Sequence, residues 1–521
     1  MPSENLQIPE KLEPLEKNHI KTVQPGGVLF PIRKVSWTPF LFIGILLSLV
    51  AAIAINYSRS SPVLIILGGM VGLVFAVIIM QKPEIGAYLI IFTVFTNLSD
   101  LFTEKSLPSI NKPLIAIIIL GIFANFILRT GRLSPAPKFS YIEALLLAYF
   151  LVVIASSVVA VNKSNSIKYI LDLAKDIAVG ICIYIALNTK EKWKTGVNVL
   201  LIAVTLVSML GVIHTLTGSN QTFWGLAQQS AFGQTSDSGE LRYGGPIGES
   251  NIWAQVLVSI LPIALYRIVR ERESLAKTFS AASAAFIFFA MLFTQSRGAF
   301  LALFVVLVLI AIDLRIRIPT LFAVAFLGLV LLLLVPSNYT GRIKSLNIFS
   351  QASQENGLAQ DESVQGRSEK MLIGLAMFKD NPFLGVGFAN YPDNYWSYAG
   401  NLGLEASTVN INSESTQRQP HSLYIEIMAE TGIFGITSFL AFLGLLFNGL
   451  YQARIKINTH QTKSDKDWSA WISSLMMSII TFLVAGFFLH GIGFRFIWVL
   501  VGLALAAIHL APPSSYSIKR K

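Results

Sequence analysis

The sequence predicts an all-α, polytopic membrane protein of about fourteen transmembrane helices with one large outer loop, and three observations predict it. Of 521 residues, 53% are hydrophobic and only 13% are charged, against about 25% charged in ordinary soluble domains. Apolar runs of about 17–25 residues recur along nearly the whole chain, enough to cross roughly 30 Å of hydrocarbon at about 1.5 Å per residue. A single long polar island, Pro336 to Pro420, interrupts these runs.

In order, the runs predict helices near residues 36–56, 62–80, 85–100, 112–129, 141–160, 168–187, 196–216, 250–268, 278–293, 297–312, 319–335, 423–452, 471–490 and 494–511. The first 35 residues are mixed in charge and carry no apolar core, so they read as a disordered cytoplasmic tail and not as a cleavable signal peptide. The organisation expected is therefore tail 1–35, first part of the bundle 36–335 with an outer loop at 217–249, large outer loop 336–420, and last part of the bundle 421–521.

The net charge of +11 admits a nucleic-acid partner, but the positions of the basic residues give another account. With the amino terminus in the cytoplasm, 25 of the 40 Lys and Arg fall on inner segments and 14 on outer ones. This is the positive-inside pattern, with both termini cytoplasmic and no nucleic acid as partner. The one cysteine, Cys182, lies inside an expected span, which excludes a disulfide framework and a multi-cysteine metal site.

The outer segment 217–249 closes with LRYGGPIGESNIWAQ, where Gly and Pro turns deliver Asn251 to the start of a helix. Within the island, Met371, Leu372, Leu375 and Phe378 fall at helical spacing, so a helix is expected over 368–379, followed by the breaker DNPFLGVG and a loose stretch. Such a helix either lies on the membrane surface or lids a cavity. The next apolar run, 423–452, would span about 45 Å as one helix, more than the hydrocarbon needs. Its first turns should project outward, with Gly432 and Gly435 as bend points.

Several side chains are placed for chemistry. Pro420 suits the first position of a helix, which puts His421 in the first turn, where the helix dipole favours a neutral imidazole able to accept a proton. Tyr424 shares its face, and Glu426 and Glu430 face together. The plainer account of His421 is an interfacial histidine bonded to a loop carbonyl. Arg297, in the short hairpin FTQSRGAFLAL, either snorkels to headgroups or aims its planar fork at a phosphate. Arg242 and Arg367, on the other outer segments, are ambiguous singly. Together the three arginines and His421 make the constellation expected for an anionic, lipid-linked substrate.

Asp172, Lys175 and Asp176 fall within one expected span at spacings that share a face, where a mutual ion pair or an ion path would account for them. No GxxxxGK[ST] is present, and the Asp-x-Asp at Asp465 to Asp467 falls on the inner side.

RYGGPIGESNIWA, TQSRGAFLAL, GRSEKMLIGLAMFKDNPFLGVG and PHSLYIEIMAETGIFG, in this order around a large outer loop, resemble the bacterial O-antigen ligase and O-antigen polymerase superfamily over roughly residues 200–440. Many members have Asn after the histidine, where this chain has Ser422. The resemblance implies a GT-C-like fold and a metal-independent, inverting glycosyltransferase without a cofactor. It would move a glycan from an undecaprenyl-diphosphate-linked donor to a hydroxyl of a glycan or lipid acceptor at the periplasmic face. It further implies that Arg242 and Arg297 bind the diphosphate and His421 orients or deprotonates the acceptor; Arg367, Tyr424 and Asn251, on the same outer segments, are the expected substrate-binding residues beside them. The rival from another class is a secondary transporter of a small anion, with Asp172, Lys175 and Asp176 as its ion site.

Overall fold

A computed structural model describes residues 62–128, 140–218, 222–230, 242–271, 273–316, 362–403, 419–460, 463–489 and 495–511. The chain divides into two compact units, Met1–Met70 and Val71–Lys521. Of the first, only the opening turns of α1 (Pro62–Gln81) are described. The expected spans at 36–56 and 319–335, and the tail, lie outside the described residues.

Within the second unit, the end of α1 meets α2 (Pro83–Phe95) at a bend of 119°. Pro83 opens α2 and lacks the amide donor that a continuing helix requires. The span expected at 85–100 stops at Phe95, because Asn97 takes a left-handed backbone (φ 52) before the short α3 (Leu98–Glu104). There follow α4 (Asn111–Leu128), α5 (Tyr141–Ser156), α6 (Lys163–Ala186) and α7 (Lys190–Thr217). A two-stranded antiparallel ladder, β1 (Gln228–Gln229) and β2 (Tyr243–Gly245), departs from the all-helical expectation.

Next come α8 (Ser250–Arg270), α9 (Ser274–Thr294) and α10 (Arg297–Leu314), then α11 (Glu362–Asp380) and α12 (Tyr391–Asn401) from the polar island. The last three helices are α13 (Leu423–His460), α14 (Lys463–Ala485) and α15 (Arg495–His509). Helices α7, α8, α9, α10, the stretch Leu423–Ile457 of α13 and the stretch Asp467–Ala485 of α14 are long and apolar enough to cross a membrane. Shorter apolar helices, including α5 and α15, complete the bundle. The described chain is thus a helical, multi-pass membrane protein.

Helix α8 is the hub. Nearly all of its residues are buried, and it packs along both α9 and α14. Helices α6 and α15 cross at Gly180 and Gly502, where a Cβ on Gly502 would overlap the Gly180 carbonyl, so only glycine permits this approach.

Helices α8, α10 and α13 run in one direction and α14 in the other, which gives the bundle two distinct ends. At the far end, Lys192 pairs with Glu84 at 3.3 Å and Arg454 with Asp313 at 2.6 Å, while Tyr266 donates to Asp313 at 2.6 Å. Arg267 donates to Asn198 at 2.6 Å and lies 5.0 Å over the Trp471 ring. Trp193, edge-on to Trp468, donates to the Leu503 carbonyl at 2.8 Å.

Of Asp172, Lys175 and Asp176, the first two form the ion pair expected of them, and the third finds its partner elsewhere. Lys175 pairs with Asp172 at 2.5 Å. Asp176, one residue further round the helix, faces α15 instead, with Arg495 Nε at 3.6 Å, and Arg495 also pairs with Asp100 at 2.9 Å. Asp176 turns inward because its face is the one α15 covers, whereas Asp172 remains half exposed.

Candidate functional site

At the opposite end, three turns converge. The first is 242–249. Tyr243 and Gly245 pair with Gln229 and Gln228, the Ser230 amide donates to the Arg242 carbonyl at 2.8 Å, and Asn97 donates to the Pro246 carbonyl at 3.0 Å. Glu249 caps α8, one of its oxygens accepting from the Ile252 amide at 2.6 Å and the other from Asn251 Nδ2 at 3.4 Å. A side-chain acceptor ahead of a helix satisfies an amide that the helix itself leaves unpaired.

Arg242 is buried beside this cap. Its Nη2 donates to Asn251 Oδ1 at 3.2 Å and its Nε to the Thr294 carbonyl at 2.8 Å. The second acceptor ends α9, where the helix dipole favours a cation.

The second turn, 294–297, is therefore tied to the first. Gln295 adopts a left-handed backbone (φ 54), which reverses the chain and makes Arg297 the first residue of α10. Arg297 is half-buried and stands at a helix start, so both its charge and the helix dipole favour an anion. Gly298, the next residue, sits so close to Phe488 that a Cβ there would lie 2.8 Å from the Phe488 Cβ.

The third turn, 419–422, lies on the other side of that same 486–489 segment. The Leu423 amide donates to the carbonyls of Gly486 and Leu489 at 2.8 and 2.9 Å. Here the structure corrects an expectation: α13 begins at Leu423, not at Pro420, and His421 precedes the helix with a left-handed backbone (φ 51). Ser422 occupies the cap, its carbonyl accepting from the Glu426 amide at 2.9 Å. The anchoring of Leu423 on the end of α14 fixes the first turn and leaves His421 in the entering loop. His421 is half-buried.

The polar island contributes more order than the sequence suggested. Helix α11 starts earlier than expected, at Glu362, and the stretch read as loose contains α12. Gly374 of α11 crosses α13 at Ile425, one turn beyond His421, and a Cβ on Gly374 would lie 2.5 Å from the Ile425 Cγ2.

The DNPFLGVG segment docks on a break in α13 at Gly432 (φ 64, ψ −162). There the Ile433 amide donates to the Pro382 carbonyl at 2.7 Å, and the amides of Val386 and Gly387 donate to the carbonyls of Ala429 and Glu430 at 2.9 and 3.1 Å. Gly385 is left-handed (φ 66) and touches the α13 backbone, so a side chain fits at neither glycine. Gly432 is the bend the sequence anticipated, while Gly435 stays helical.

Glu430 closes this joint. It is buried and accepts from the amides of Ala389 at 2.8 Å and Tyr391 at 3.2 Å, an acceptor at the start of α12. The α5–α6 turn grips the same loop, through Asn162 amide to Asn390 Oδ1 at 2.7 Å and Ser166 Oγ to the Phe388 carbonyl at 2.6 Å.

Of the residues expected at the site, Arg242, Asn251, Arg297 and His421 share this end, and contacts through Thr294 and the 486–489 segment link their turns. Tyr424 is half-buried here too, but its hydroxyl donates to the Leu483 carbonyl at 2.8 Å and its ring packs on Phe487 with centroids 4.4 Å apart. Arg367 lies two turns before the α11–α13 crossing, half-buried, on the island. Burial pushes the nearby Lys370 ammonium below its usual range, and the charge of Arg367 adds to this. Sequence reasoning missed Glu249, Ser422 and the anchoring role of Glu430. A carboxylate or hydroxyl immediately before a helix was the available signal for the first two.

A helical membrane protein with basic and imidazole groups gathered at one end is the class these observations define. The family model described as O-antigen ligase matches residues 282–440, which supports the resemblance to the O-antigen ligase and polymerase superfamily. The match takes in Arg297, Arg367, His421 and Tyr424, and leaves Arg242 and Asn251 outside it. No curated protein matches the chain.

Proposed function

We propose that the protein is a membrane glycosyltransferase that moves a glycan from undecaprenyl diphosphate to an acceptor hydroxyl on the periplasmic side of the plasma membrane. The observation that carries the proposal most is the bond from Arg242 to the Thr294 carbonyl, which ties one arginine to the turn that opens α10 with another. Two cationic positions held against the same turn suit a diphosphate, and the dipole at the start of α10 adds to their charge.

In the reaction, the acceptor oxygen attacks the anomeric carbon from the face opposite the diphosphate. The bond from that carbon to the phosphate oxygen breaks, and its electron pair leaves with the lipid diphosphate, so the anomeric configuration inverts. The hydroxyl proton passes to the His421 imidazole. Diphosphate is already a good leaving group, so charge stabilisation and positioning carry the rate, and no metal or cofactor enters this scheme. Arg242 and Arg297 neutralise the departing charge. Asn251 orients Arg242, while Arg367 and Tyr424 border the glycan path.

The orientation rests on charge. Lys190, Lys192, Arg267, Arg270, Arg315, Arg454 and Lys456 gather at the far end, which the positive-inside rule assigns to the cytoplasm. That leaves the arginine and histidine end facing out.

Purified protein in lipid nanodiscs, supplied with lipid-diphosphate-linked glycan and acceptor, tests the proposal. His421→Ala should lower turnover by about 10² to 10⁴ and Arg297→Ala by about 10² to 10³. Wild-type turnover in either variant would overturn it. In a deletion strain, short lipid-linked units would mark a polymerase and long chains retained on the lipid a ligase, while an unchanged glycolipid profile would exclude both.

A further inference from the structure

Helix α11 has two apolar faces, and the bundle covers only one. Ile373 and Met377 are fully buried with Tyr391 and Ala429 against α12 and α13. The opposite face carries Ser368, Leu372, Leu375 and Lys379 at helical spacing, all exposed, with Leu372 at 54% and Leu375 at 42%. Past the end of the helix, Phe383 is 64% exposed. A helix held in water on that side has no use for two leucines and a phenylalanine in line.

The position of this stripe identifies what covers it. Phe383 stacks on Phe434, ring centroids 5.9 Å apart and planes 29° apart. Phe434 is the second residue of α13 beyond the Gly432 break, and it opens the exposed apolar row that continues through Leu440, Tyr451 and Ile455. In a membrane span such a row faces lipid. The stripe on α11 is thus continuous with the lipid-facing surface of α13 and begins where that surface begins.

We propose that α11 is an interfacial helix, seated in the headgroup and acyl boundary of the bilayer through Leu372, Leu375 and Phe383. The seat is about 5–10 Å deep, as for other amphipathic helices that lie in the membrane plane. Lys379, at the edge of the stripe beside Asp380, extends its ammonium to the lipid phosphates. Of the two placements open to an island helix, surface rider or lid, the stripe selects the first. The proposal is independent of the glycosyl-transfer reading, since it concerns only where α11 meets the bilayer.

Nitroxide labels on Leu372→Cys, Leu375→Cys and Phe383→Cys in the full-length protein in nanodiscs test it by collision with oxygen, which concentrates in lipid, and with a nickel chelate, which stays in water. These sites are exposed, so labelling does not unpack the core, and Cys182 is buried. Leu440→Cys serves as the lipid reference and Asn401→Cys, exposed at the end of α12, as the water reference. The expected result is an oxygen-to-nickel ratio at all three sites on the Leu440→Cys side of the midpoint between references. Ratios at the Asn401→Cys level would overturn the proposal. Low access to both reagents, the signature of a protein cover such as a second copy, would overturn it equally.

Discussion

Arg242 reaches the Thr294 carbonyl at 2.8 Å, three residues ahead of Arg297, so one guanidinium braces the turn on which the other stands. The two arginines therefore differ in kind. Arg242 is nearly surrounded by protein, while Arg297 is only half-buried.

Substitution should separate them. Arg242→Ala removes the bonds to Thr294 and Asn251, each worth about 1.5–3 kcal/mol for a charged donor, and should lower both thermal stability and turnover. Arg297→Ala should lower turnover with little loss of stability. Thermal unfolding in detergent beside a transfer assay checks both, and equal stability losses would refute the distinction.

Glu430→Ala leaves the amides of Ala389 and Tyr391 buried without their acceptor, at a cost of about 1–3 kcal/mol each. The variant should unfold at lower temperature and expose the 380–390 loop to protease. Glu430→Gln retains an acceptor oxygen and should recover part of the loss.

Arg495→Ala strands Asp176 and Asp100, which lie on two other helices. Removing one partner of a buried pair typically costs about 3–5 kcal/mol, so folded yield should fall sharply. Adding Asp176→Asn to Arg495→Ala should restore part of it, with a coupling energy of about 0.5–3 kcal/mol in a double-mutant cycle. Additive losses would show that the two residues do not interact.

Lys370 gives a pH test. Burial holds its folded-state value below that of the unfolded chain, so the folded state binds fewer protons between the two values. Stability attributable to Lys370 is therefore lowest below the folded value and rises with pH toward the unfolded one. Lys370→Met should be more stable than wild type at neutral pH, and the gap in melting temperature should narrow as pH rises toward 10. A gap independent of pH would exclude this origin.

The sequence made some of this visible and hid the rest for identifiable reasons. Apolar periodicity revealed α7 to α10, α13 and α14, because helices that must cover their own backbone in lipid are written as uninterrupted runs. Gly432 was legible as a bend because the apolar run around it exceeds a bilayer.

Helix α12, YPDNYWSYAGN, was not legible, since Asn, Asp, Ser and Gly are poor helix formers. It forms because Tyr391, Tyr395 and Ala399 bury one face and Glu430, distant in sequence, supplies the acceptor at its start. The left-handed His421 was missed for a similar reason: the end of α14 anchors Leu423, and nothing local announces it. The pairing of Asp176 with Arg495 joins residues far apart in the chain, while helical spacing within one span pointed only to the Lys175–Asp172 pair.

The break at Gly432 also has a mechanical consequence. Below it, α13 is a span longer than the hydrocarbon needs, and tilting is how an overlong helix accommodates a thinner membrane. Above it, the turns next to His421 are fastened to α14 and to the 380–391 loop. A bend at that glycine would take up tilt in the lower segment before it reached the histidine, so membranes of different thickness should present the same geometry to an incoming molecule.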